Sequence, residues 1–326
     1  MSTTPDLLAM RQPSIAGSEF KQDDYFTWGG SITRSDDGQY HMYVSRWPRS
    51  AEFKGWVTHS EVVHAVAETA AGPYTYRDLA LGRCEKGRWD CDVAHNPTVI
   101  RWQGIYYLYY TGNFGNGEYW DHRNNQRVGV AVSESPDGPW ERRDQPLLEV
   151  SAGCWDSLIT TNPSCTPTPD GRFLLMYKAA GHERDLPMGG PVLHGVAFAD
   201  SPLGPFAKHP DPIFVAKDAW FPGEDPFVWT QDGRLYAILK DQGSHYSPED
   251  RALVLFESDN GIDWAIAEQP VVCPRTVQWD DGRTVEYNRL ERPQLYLENG
   301  VPTVLSVAVK PDKSEPDSYN IRVPLG

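Results

Sequence analysis

Apolar and polar residues alternate along most of the chain in short runs, which glycine, proline, asparagine and aspartate interrupt. Segments 62–68 (VVHAVAE) and 127–135 (RVGVAVSES) are typical of these runs. A two-residue period that is rich in β-branched side chains predicts half-buried β-strands. No segment combines a sustained 3.6-residue period with helix caps. The pattern therefore predicts an all-β protein.

One arrangement of strands and turns recurs along the chain. A polar residue and a proline are followed by an apolar strand, a glycine turn and a second apolar strand. The prolines lie 66, 63 and 67 residues apart, and Gly30 takes the same place in a weaker first copy. The four clear copies contain Pro97, Pro163, Pro226 and Pro293.

A second landmark recurs in phase with the first. A Gly-Pro-aromatic turn contains Pro73, Pro139 and Pro205, and a related turn occupies 259–266. Each turn follows an alternating strand, so each repeat supplies a four-stranded antiparallel sheet. Five such sheets around an axis predict a single five-bladed β-propeller.

The last repeat has only three strands before the chain ends. We therefore expect the N-terminal segment, roughly residues 5–15, to supply the fourth strand and close the ring. The predicted blades span residues 20–82, 89–150, 155–215, 220–273 and 286–326.

The residues before each proline are the first candidates for a functional site. Proline is tolerated at the first residue of a strand, so these positions are predicted to surround the opening of the central channel. The ten predicted ring residues are Trp28, Gly29, His95, Asn96, Thr161, Asn162, Glu224, Asp225, Glu291 and Arg292. Crowded carboxylates raise one another's pKa and therefore indicate a site. For the two asparagines, capping of strand ends is an alternative.

Composition narrows the classes of partner. The chain has 45 acidic and 30 basic residues and a formal charge of −15, which argues against nucleic acid and against an anionic membrane surface. The five cysteines show no metal-site spacing, and a disulfide framework is not expected. No apolar run has transmembrane length, and residues 1–14 lack a signal-peptide pattern. The expected location is cytoplasmic, unless a signal peptide has been trimmed. No cofactor or metal is predicted, and the sequence shows no recognisable set of ligands for a cation in the central channel.

Two short stretches resemble the five-bladed glycoside hydrolases of family 43 and its relatives in families 117, 32, 68 and 62. Residues 290–300 (LERPQLYLENG) are similar to that family's Glu-Gly-Pro element, and 223–229 (GEDPFVW) to its Asp-Pro element. The resemblance covers most of the chain as architecture. It implies that Glu291 is the general acid of a glycosidase and that Asp225 orients this acid and tunes its pKa.

The general base is left open. In the resembled family it is an aspartate directly before the proline of an upstream blade, where this chain has glycine or asparagine. Asp92 is the preferred candidate because it is not repeated, whereas Asp90 recurs as Asp156 and is expected to be structural. His95 and residues 23–24 (two aspartates) are alternatives. The resemblance implies inversion, with about 6.5–9.5 Å between the two carboxyl groups.

Further residues near the blade openings are candidates for substrate binding. Arg289 and Arg292 either bind an anionic group of the sugar or balance the local acids; the first case predicts a uronic acid, a sulfated sugar or an anhydro-sugar. Aromatic residues at these openings either stack on sugar rings or pack between blades. They are Trp28, Trp89, Trp155, Trp220 and Phe221.

Long loops at 113–127, 181–192 and 242–251 are expected to narrow the funnel. The sequence thus predicts an exo-acting glycosidase for short oligosaccharides. A phosphorylase or a lyase on the same fold and a sugar-binding propeller without catalysis remain alternatives, and the last is favoured by the missing base. A protein-interaction propeller is disfavoured by the acidic funnel. The sequence gives no indication of the oligomeric state.

Overall fold

A computed structural model describes residues 4–314 and 317–326. It confirms a five-bladed propeller in which consecutive strands pair antiparallel. Blade 1 contains β1 (Tyr25–Arg34), β2 (Tyr40–Pro48), β3 (Glu61–Ala67) and β4 (Thr75–Leu81). Blade 2 contains β5 (Val93–Trp102), β6 (Ile105–Asn113), β7 (Arg127–Ser133) and β8 (Glu141–Arg142). Blade 3 contains β9 (Ile159–Pro167), β10 (Phe173–Ala180), β11 (Val192–Ala199) and β12 (Ala207–Lys208).

A small additional hairpin lies between the last two blades along the chain. Blade 4 contains β13 (Gly223–Gln231), β14 (Arg234–Asp241), β15 (Leu253–Ser258) and β16 (Ala265–Cys273). The hairpin consists of β17 (Thr276–Gln278) and β18 (Thr284–Glu286). Blade 5 contains β19 (Arg289–Glu298), β20 (Val301–Lys310) and β21 (Tyr319–Pro324).

The N-terminal segment closes the ring, as predicted. The amide of Gln12 donates to the carbonyl of Pro324 at 2.8 Å, and the amide of Gly326 donates to the carbonyl of Met10 at 2.9 Å. A second antiparallel bridge joins Phe20 to Asn320. The segment follows β21 through such isolated bridges, because Pro13 lacks the N–H that a continuous strand requires.

The hydrophobic core is divided among the junctions between blades. One cluster of buried side chains lies at each of the five junctions. The inner strands are therefore covered on both faces, which explains why they read as apolar runs as well as alternating ones. Because the ring is closed, each junction also fixes where one inner strand begins relative to the next.

A β-bulge recurs at the start of every inner strand. The ladder between the first and second strands shifts register at this point in all five blades. The residue before each proline, or before Gly30 in blade 1, has a positive φ of 51° to 61°: Gly29, Asn96, Asn162, Asp225 and Arg292. Glycine, asparagine and aspartate tolerate this left-handed conformation, whereas Arg292 does so against its preference.

Two short helices lie in loops that the strand pattern did not resolve. They are α1 (Trp56–His59), between β2 and β3, and α2 (Tyr119–Asn124), between β6 and β7. Both occupy the end of the propeller where the inner strands begin. Within the described residues, no helix has the length and apolar composition needed to cross a membrane. All five cysteines are free.

Candidate active site

A cavity of about 290 Å³ lies where the inner strands begin. It is lined by seven of the ten predicted ring residues: Trp28, His95, Asn96, Asn162, Glu224, Asp225 and Glu291. The recurring bulge explains this convergence, because a bulge interrupts the ladder and re-aims side chains at a strand end. The chain thus uses one local backbone feature in five blades to build one site.

Three carboxyl groups meet on one side of the cavity. Glu224 and Asp225 are consecutive residues of β13, and Glu291 belongs to β19 of the next blade. One oxygen from each of the three lies within 4.8 Å of the others. Three negative charges at this distance repel strongly in a buried site, so either cations or a proton must be present among them.

Two lysines from second strands supply much of the compensating charge. Lys178 Nζ lies 2.6 Å from Glu224 Oε1, and Lys240 Nζ lies 2.6 Å from Glu291 Oε1. Gln242 Nε2 donates to the other oxygen of Glu224 at 2.5 Å. Burial raises the pKa of Glu224, but the charges of Lys178 and Lys240 outweigh burial and hold this pKa at about 2. Glu224 is therefore ionised at any neutral pH.

Asp225 behaves in the opposite way. It is almost fully buried, and burial, followed by the negative charge of Glu224, raises the pKa of Asp225 to about 6 against the opposing charges of Arg292 and Lys178. Asn162 Nδ2 donates to its Oδ1 at 2.6 Å, and Asn96 Nδ2 donates to Asn162 Oδ1 at 2.8 Å. This relay of amides across three blades fixes the orientation of the Asp225 carboxyl group.

His95 lies on the cavity wall in blade 2, which is two blades away from both blade 4 and blade 5 in the ring. Its Nδ1 lies 2.8 Å from Ser60 Oγ, and its ring stacks on Trp56 at 5.0 Å. Burial, followed by the charges of Arg292 and Lys178, lowers the pKa of His95 to about 3. The imidazole is therefore neutral at the pH at which most enzymes work.

Arg292 lies beneath the cavity and does not line it. Its side chain is fully buried and crosses the channel to the far blades, where Nη2 donates to the Asn96 carbonyl at 2.8 Å and lies 3.1 Å from Thr98 Oγ1. Burial lowers the pKa of Arg292 to about 10, against the effect of Asp225 and Glu224, so the guanidinium stays charged. Its stem explains Gly29, since a Cβ there would lie 2.4 Å from Arg292 Cγ.

Arg289, in contrast, faces the cavity. Its side chain is 46% exposed, and Nη1 lies 3.5 Å from Glu291 Oε2. Together with Lys54 and Lys178 it brings three cations to the lining. Of the two arginines singled out in the sequence, only Arg289 is thus placed to meet a ligand.

Aromatic side chains form a second wall of the cavity: Trp28, Trp47, Phe53, Trp56 and Tyr119. Only Trp28 was identified from the sequence. Segment 49–60 supplies Phe53 and Trp56, and loop 113–127 supplies Tyr119 from α2. The sequence signal for Phe53 and Trp56 was the presence of two aromatic residues in a polar loop between β2 and β3. Lys178 and Lys240 were also missed, although each is the one lysine of a largely apolar second strand.

Other predicted residues lie elsewhere. Asp92 is outside the cavity lining, and its Oδ2 accepts the amide of Gly115 at 3.1 Å. Trp155 stacks on Tyr177 with 6.0 Å between centroids, and its Nε1 donates to the Pro210 carbonyl. Residues 23–24 are exposed and also outside the lining.

Asp90 and Asp156 have the same structural role in consecutive blades. Asp90 Oδ2 accepts the hydroxyl of Tyr110 at 2.6 Å, and Asp156 Oδ2 accepts the hydroxyl of Tyr177 at 3.1 Å. Both also form ion pairs with a basic residue of the outer strand. The repetition of these aspartates along the sequence therefore reflects blade packing.

The carboxyl cluster has the spacing of a metal site. Carboxylate oxygens are suitable ligands for a hard cation, and Glu224, Asp225 and Glu291 would hold it. Lys178 and Lys240 already contact an oxygen of Glu224 and of Glu291, respectively. An ion at this place would therefore compete with two ammonium groups for these carboxylates.

No protein-family model and no curated protein sequence matches this chain. Solved structures do match. Zg3597, a family 117 glycoside hydrolase of the marine bacterium Zobellia galactanivorans, aligns over 96% of this chain and 88% of its own, with 20% identity and a TM-score of 0.68. The chain has the fold of the five-bladed glycoside hydrolases.

Two family 43 structures support the same conclusion about the fold. A β-xylosidase/α-arabinofuranosidase from a compost microbial metagenome, in complex with xylotriose, aligns over 97% of this chain and 94% of its own, with 16% identity and a TM-score of 0.63. An enzyme of Xanthomonas citri, complexed with xylotriose, aligns over 98% and 92%, with 16% identity and a TM-score of 0.62. These TM-scores and coverages establish a shared propeller fold.

Proposed function

We propose that this protein is a glycoside hydrolase that cleaves short oligosaccharides in the cavity at the start of the inner strands. The observation that carries the proposal is that one cavity combines a carboxyl cluster with an aromatic wall. Three converging carboxyl groups, one of which has a raised pKa, line it together with five aromatic side chains. Hydrolysis of a glycosidic bond requires a proton donor on one side of the sugar, and aromatic faces bind the apolar faces of sugar rings.

The proton donor lies in the pair formed by Asp225 and Glu291. Asp225 holds a proton below about pH 6, whereas Glu291 Oε1 lies 2.6 Å from Lys240 Nζ. We propose that Asp225 is the reservoir and that Glu291 passes the proton to the oxygen of the leaving group. The bond from this oxygen to the anomeric carbon then breaks, and the electron pair stays on the oxygen.

Water attack requires a group on the opposite wall. One oxygen each of Glu224, Asp225 and Glu291 lies within 4.8 Å of the others, whereas the carboxyl groups of an inverting pair are about 6.5–9.5 Å apart. We propose that His95 accepts the proton of the attacking water. Its pKa of about 3 gives it about the basicity of an ordinary aspartate, for which the pKa is about 3.9.

The size and charge of the cavity indicate the substrate class. A volume of about 290 Å³ is at the lower limit for small-molecule pockets and suits one terminal sugar better than an internal segment of a polymer. Lys54, Lys178 and Arg289 line it, so a sugar with a carboxylate or sulfate would gain charge-assisted hydrogen bonds. The proposed activity is therefore exo-acting, with a preference for acidic sugars.

Phosphorolysis is the second candidate. Within the described residues, every carboxyl group of the lining comes from blades 4 and 5, while three cations reach the cavity. Phosphate is its own nucleophile, so it needs a cationic pocket and no protein base. The two candidates share the proton donor and differ in the group that attacks the anomeric carbon.

Hydrolysis of a panel of aryl glycosides and acidic oligosaccharides by the wild type and Glu291→Gln, with and without phosphate, tests the proposal. We expect turnover without phosphate, release of one terminal sugar, and, on the oligosaccharides, a loss of about 10²–10⁴-fold in kcat for the variant. Turnover that requires phosphate would establish phosphorolysis. Sugar binding without turnover in both proteins would contradict an enzyme. Retention of configuration, observed by NMR, would assign attack to Glu224 and exclude His95 as the base.

A further inference from the structure

A cluster of two histidines and one aspartate lies at the junction of blades 1 and 2, away from the cavity. His41 is near the start of β2, His64 is on β3, and Asp137 is in the turn between β7 and β8. From Trp28 at the cavity, β1 continues for six residues, about 20 Å, before the hairpin that leads to His41. The cluster is separate from the cavity, and the proposed glycosidase activity does not involve it.

The donor atoms of the cluster face one another. His41 Nδ1 lies 2.9 Å from His64 Nε2 and 3.9 Å from Asp137 Oδ1. One atom from each residue lies within 4.8 Å of the others. Both histidines are 1% exposed, whereas Asp137 is open to solvent. The cluster is thus a buried nitrogen pair with one carboxylate at its solvent side.

His64 Nδ1, the ring nitrogen that does not face His41, must carry a hydrogen; we call it the outer nitrogen. His64 Nδ1 lies 3.3 Å from Asp78 Oδ1, and an ionised carboxylate can only accept a hydrogen bond. In the neutral imidazole only one nitrogen carries hydrogen. The inner nitrogen, His64 Nε2, therefore presents a lone pair to His41.

The outer nitrogen of His41 carries hydrogen as well. The hydroxyl of Ser35 makes a short hydrogen bond to the Asp37 carboxylate, so its single hydrogen is already used. Its oxygen must then accept from His41 Nε2, which lies 3.1 Å away. The inner nitrogen, His41 Nδ1, is left with a lone pair too. Two lone pairs at 2.9 Å repel unless a cation lies between them.

A transition-metal ion is the alternative to a proton for that cation. Both rings are buried, and the cationic neighbour Arg77 lies 3.3 Å from Asp137 Oδ1. Two imidazole lone pairs that face each other are suitable ligands for such an ion.

At the junction of blades 2 and 3, the positions equivalent to those of the cluster carry no histidine or carboxylate. Tyr43 and Tyr109 correspond, since each donates its hydroxyl to a carbonyl 93 residues further along the chain. With this register, the positions of His41, His64 and Asp137 are occupied at the junction of blades 2 and 3 by Tyr107, Val130 and Leu203. These three belong to one apolar cluster. The fold therefore does not require histidine or aspartate at these places.

We propose that His41 Nδ1, His64 Nε2 and Asp137 Oδ1 bind one divalent transition-metal ion of the zinc class, which joins blade 1 to blade 2. Two imidazoles, a carboxylate and a water are a common tetrahedral set for Zn²⁺. Asp78 and Ser35 are the outer partners that fix the ring orientations. Nitrogens at about 2.0–2.1 Å from the ion lie about 3.3 Å apart, which a small rotation of the rings provides.

Metal binding to the full chain tests this site. The protein is stripped with a chelator, titrated with Zn²⁺ by calorimetry and analysed for bound metal; Co²⁺ then reports a tetrahedral site by its visible absorption. We expect one ion per chain and a higher Tm with Zn²⁺. The matched control is His41→Tyr/His64→Val/Asp137→Leu, which copies the next junction and should neither bind the ion nor respond to Zn²⁺.

Asp78→Asn keeps all three ligands and guards against a triple variant that fails to fold. It removes the anchor of His64 and should weaken Zn²⁺ binding about 10–100-fold. The proposal is overturned if the wild type binds no Zn²⁺, or if the triple variant or Asp78→Asn binds it as tightly as the wild type. A wild type that is stabilised only by acid would show that a proton occupies the gap.

Discussion

Lys240 Nζ lies 2.6 Å from Glu291 Oε1 in a site where both side chains are 6% exposed. The pair joins the second strand of blade 4 to the inner strand of blade 5. Taking two charges out of water is costly, and their mutual attraction only offsets that cost when both are present. The pair therefore controls both the stability of the cavity and the charge of the carboxyl group that we propose to act on the glycosidic oxygen.

Lys240→Met should lower the free energy of unfolding by about 3 kcal/mol, because it leaves the buried Glu291 carboxyl group without its lysine partner. Arg101→Met is the matched control: it removes an exposed pair with Asp36 and should cost at most about 1 kcal/mol. Urea denaturation measures both. If Lys240→Met/Glu291→Gln is no more stable than Lys240→Met, the unpaired charge is not the cause.

Asp225 should make the wild type less stable as pH rises from about 4 to 6. The pKa of Asp225 is raised to about 6 in the folded state from an unfolded value near 3.9, so the folded state binds the additional proton in this window and loses stability as the proton leaves. Asp225→Asn should abolish this loss, about 3 kcal/mol in total. Unfolding free energies at pH 4 and pH 7 for both proteins measure it.

The effect of Asp225→Asn also separates this group from Glu224. The pKa of Glu224 is lowered to about 2, so its contribution is present above an unfolded pKa near 4.3 and is lost as pH falls towards 2. The two acids thus act in different pH ranges and with opposite sign. An Asp225→Asn protein with the same loss between pH 4 and pH 6 as the wild type would show that another group holds the proton.

Gly29→Ala should destabilise the protein by more than its backbone conformation alone requires. Its φ of 61° costs an alanine about 1–2 kcal/mol, and the new Cβ would also lie 2.4 Å from Arg292 Cγ. Gly233→Ala is the control, since φ is 78° there and nothing lies near the added Cβ. Equal Tm losses in the two variants would show that the arginine stem has room to move.

The proposed base can be tested by comparing two variants. His95→Asn should lower kcat by about 10²–10⁴-fold, while its Tm reports any loss of the stacking with Trp56. Asp92→Asn should leave kcat unchanged, since Asp92 lies outside the cavity lining. The opposite pattern would make Asp92 the base, through a movement of its loop when substrate binds.

Much of the ring could be predicted from the sequence, because proline marks the start of most inner strands and the number of repeats gives the number of blades. The same reasoning placed Glu224, Asp225 and Glu291 at one opening. It could not foresee that Arg292 crosses beneath the site, since only the three-dimensional register shows that Gly29 leaves space for its stem.

The rest of the site depends on loops and on second strands. Phe53 and Trp56 lie in an irregular segment with no periodicity to place them. Lys178 and Lys240 contact Glu224 and Glu291 from second strands that pair with inner strands whose bulges shift the register. Each is the one lysine of a largely apolar strand. This is a signal that could have been used, since a buried lysine requires an acidic partner.

The most direct test of the account is the dependence of kcat/KM on the leaving group for Glu291→Gln and Asp225→Asn. Substrates with an activated aryl or fluoride leaving group need no protonation, so the variant that lacks the general acid should retain their turnover and lose that of natural glycosides. We predict this split for Glu291→Gln and a loss of the activity limb near pH 6 for Asp225→Asn. Equal losses on both substrate classes in Glu291→Gln would contradict its role as the proton donor.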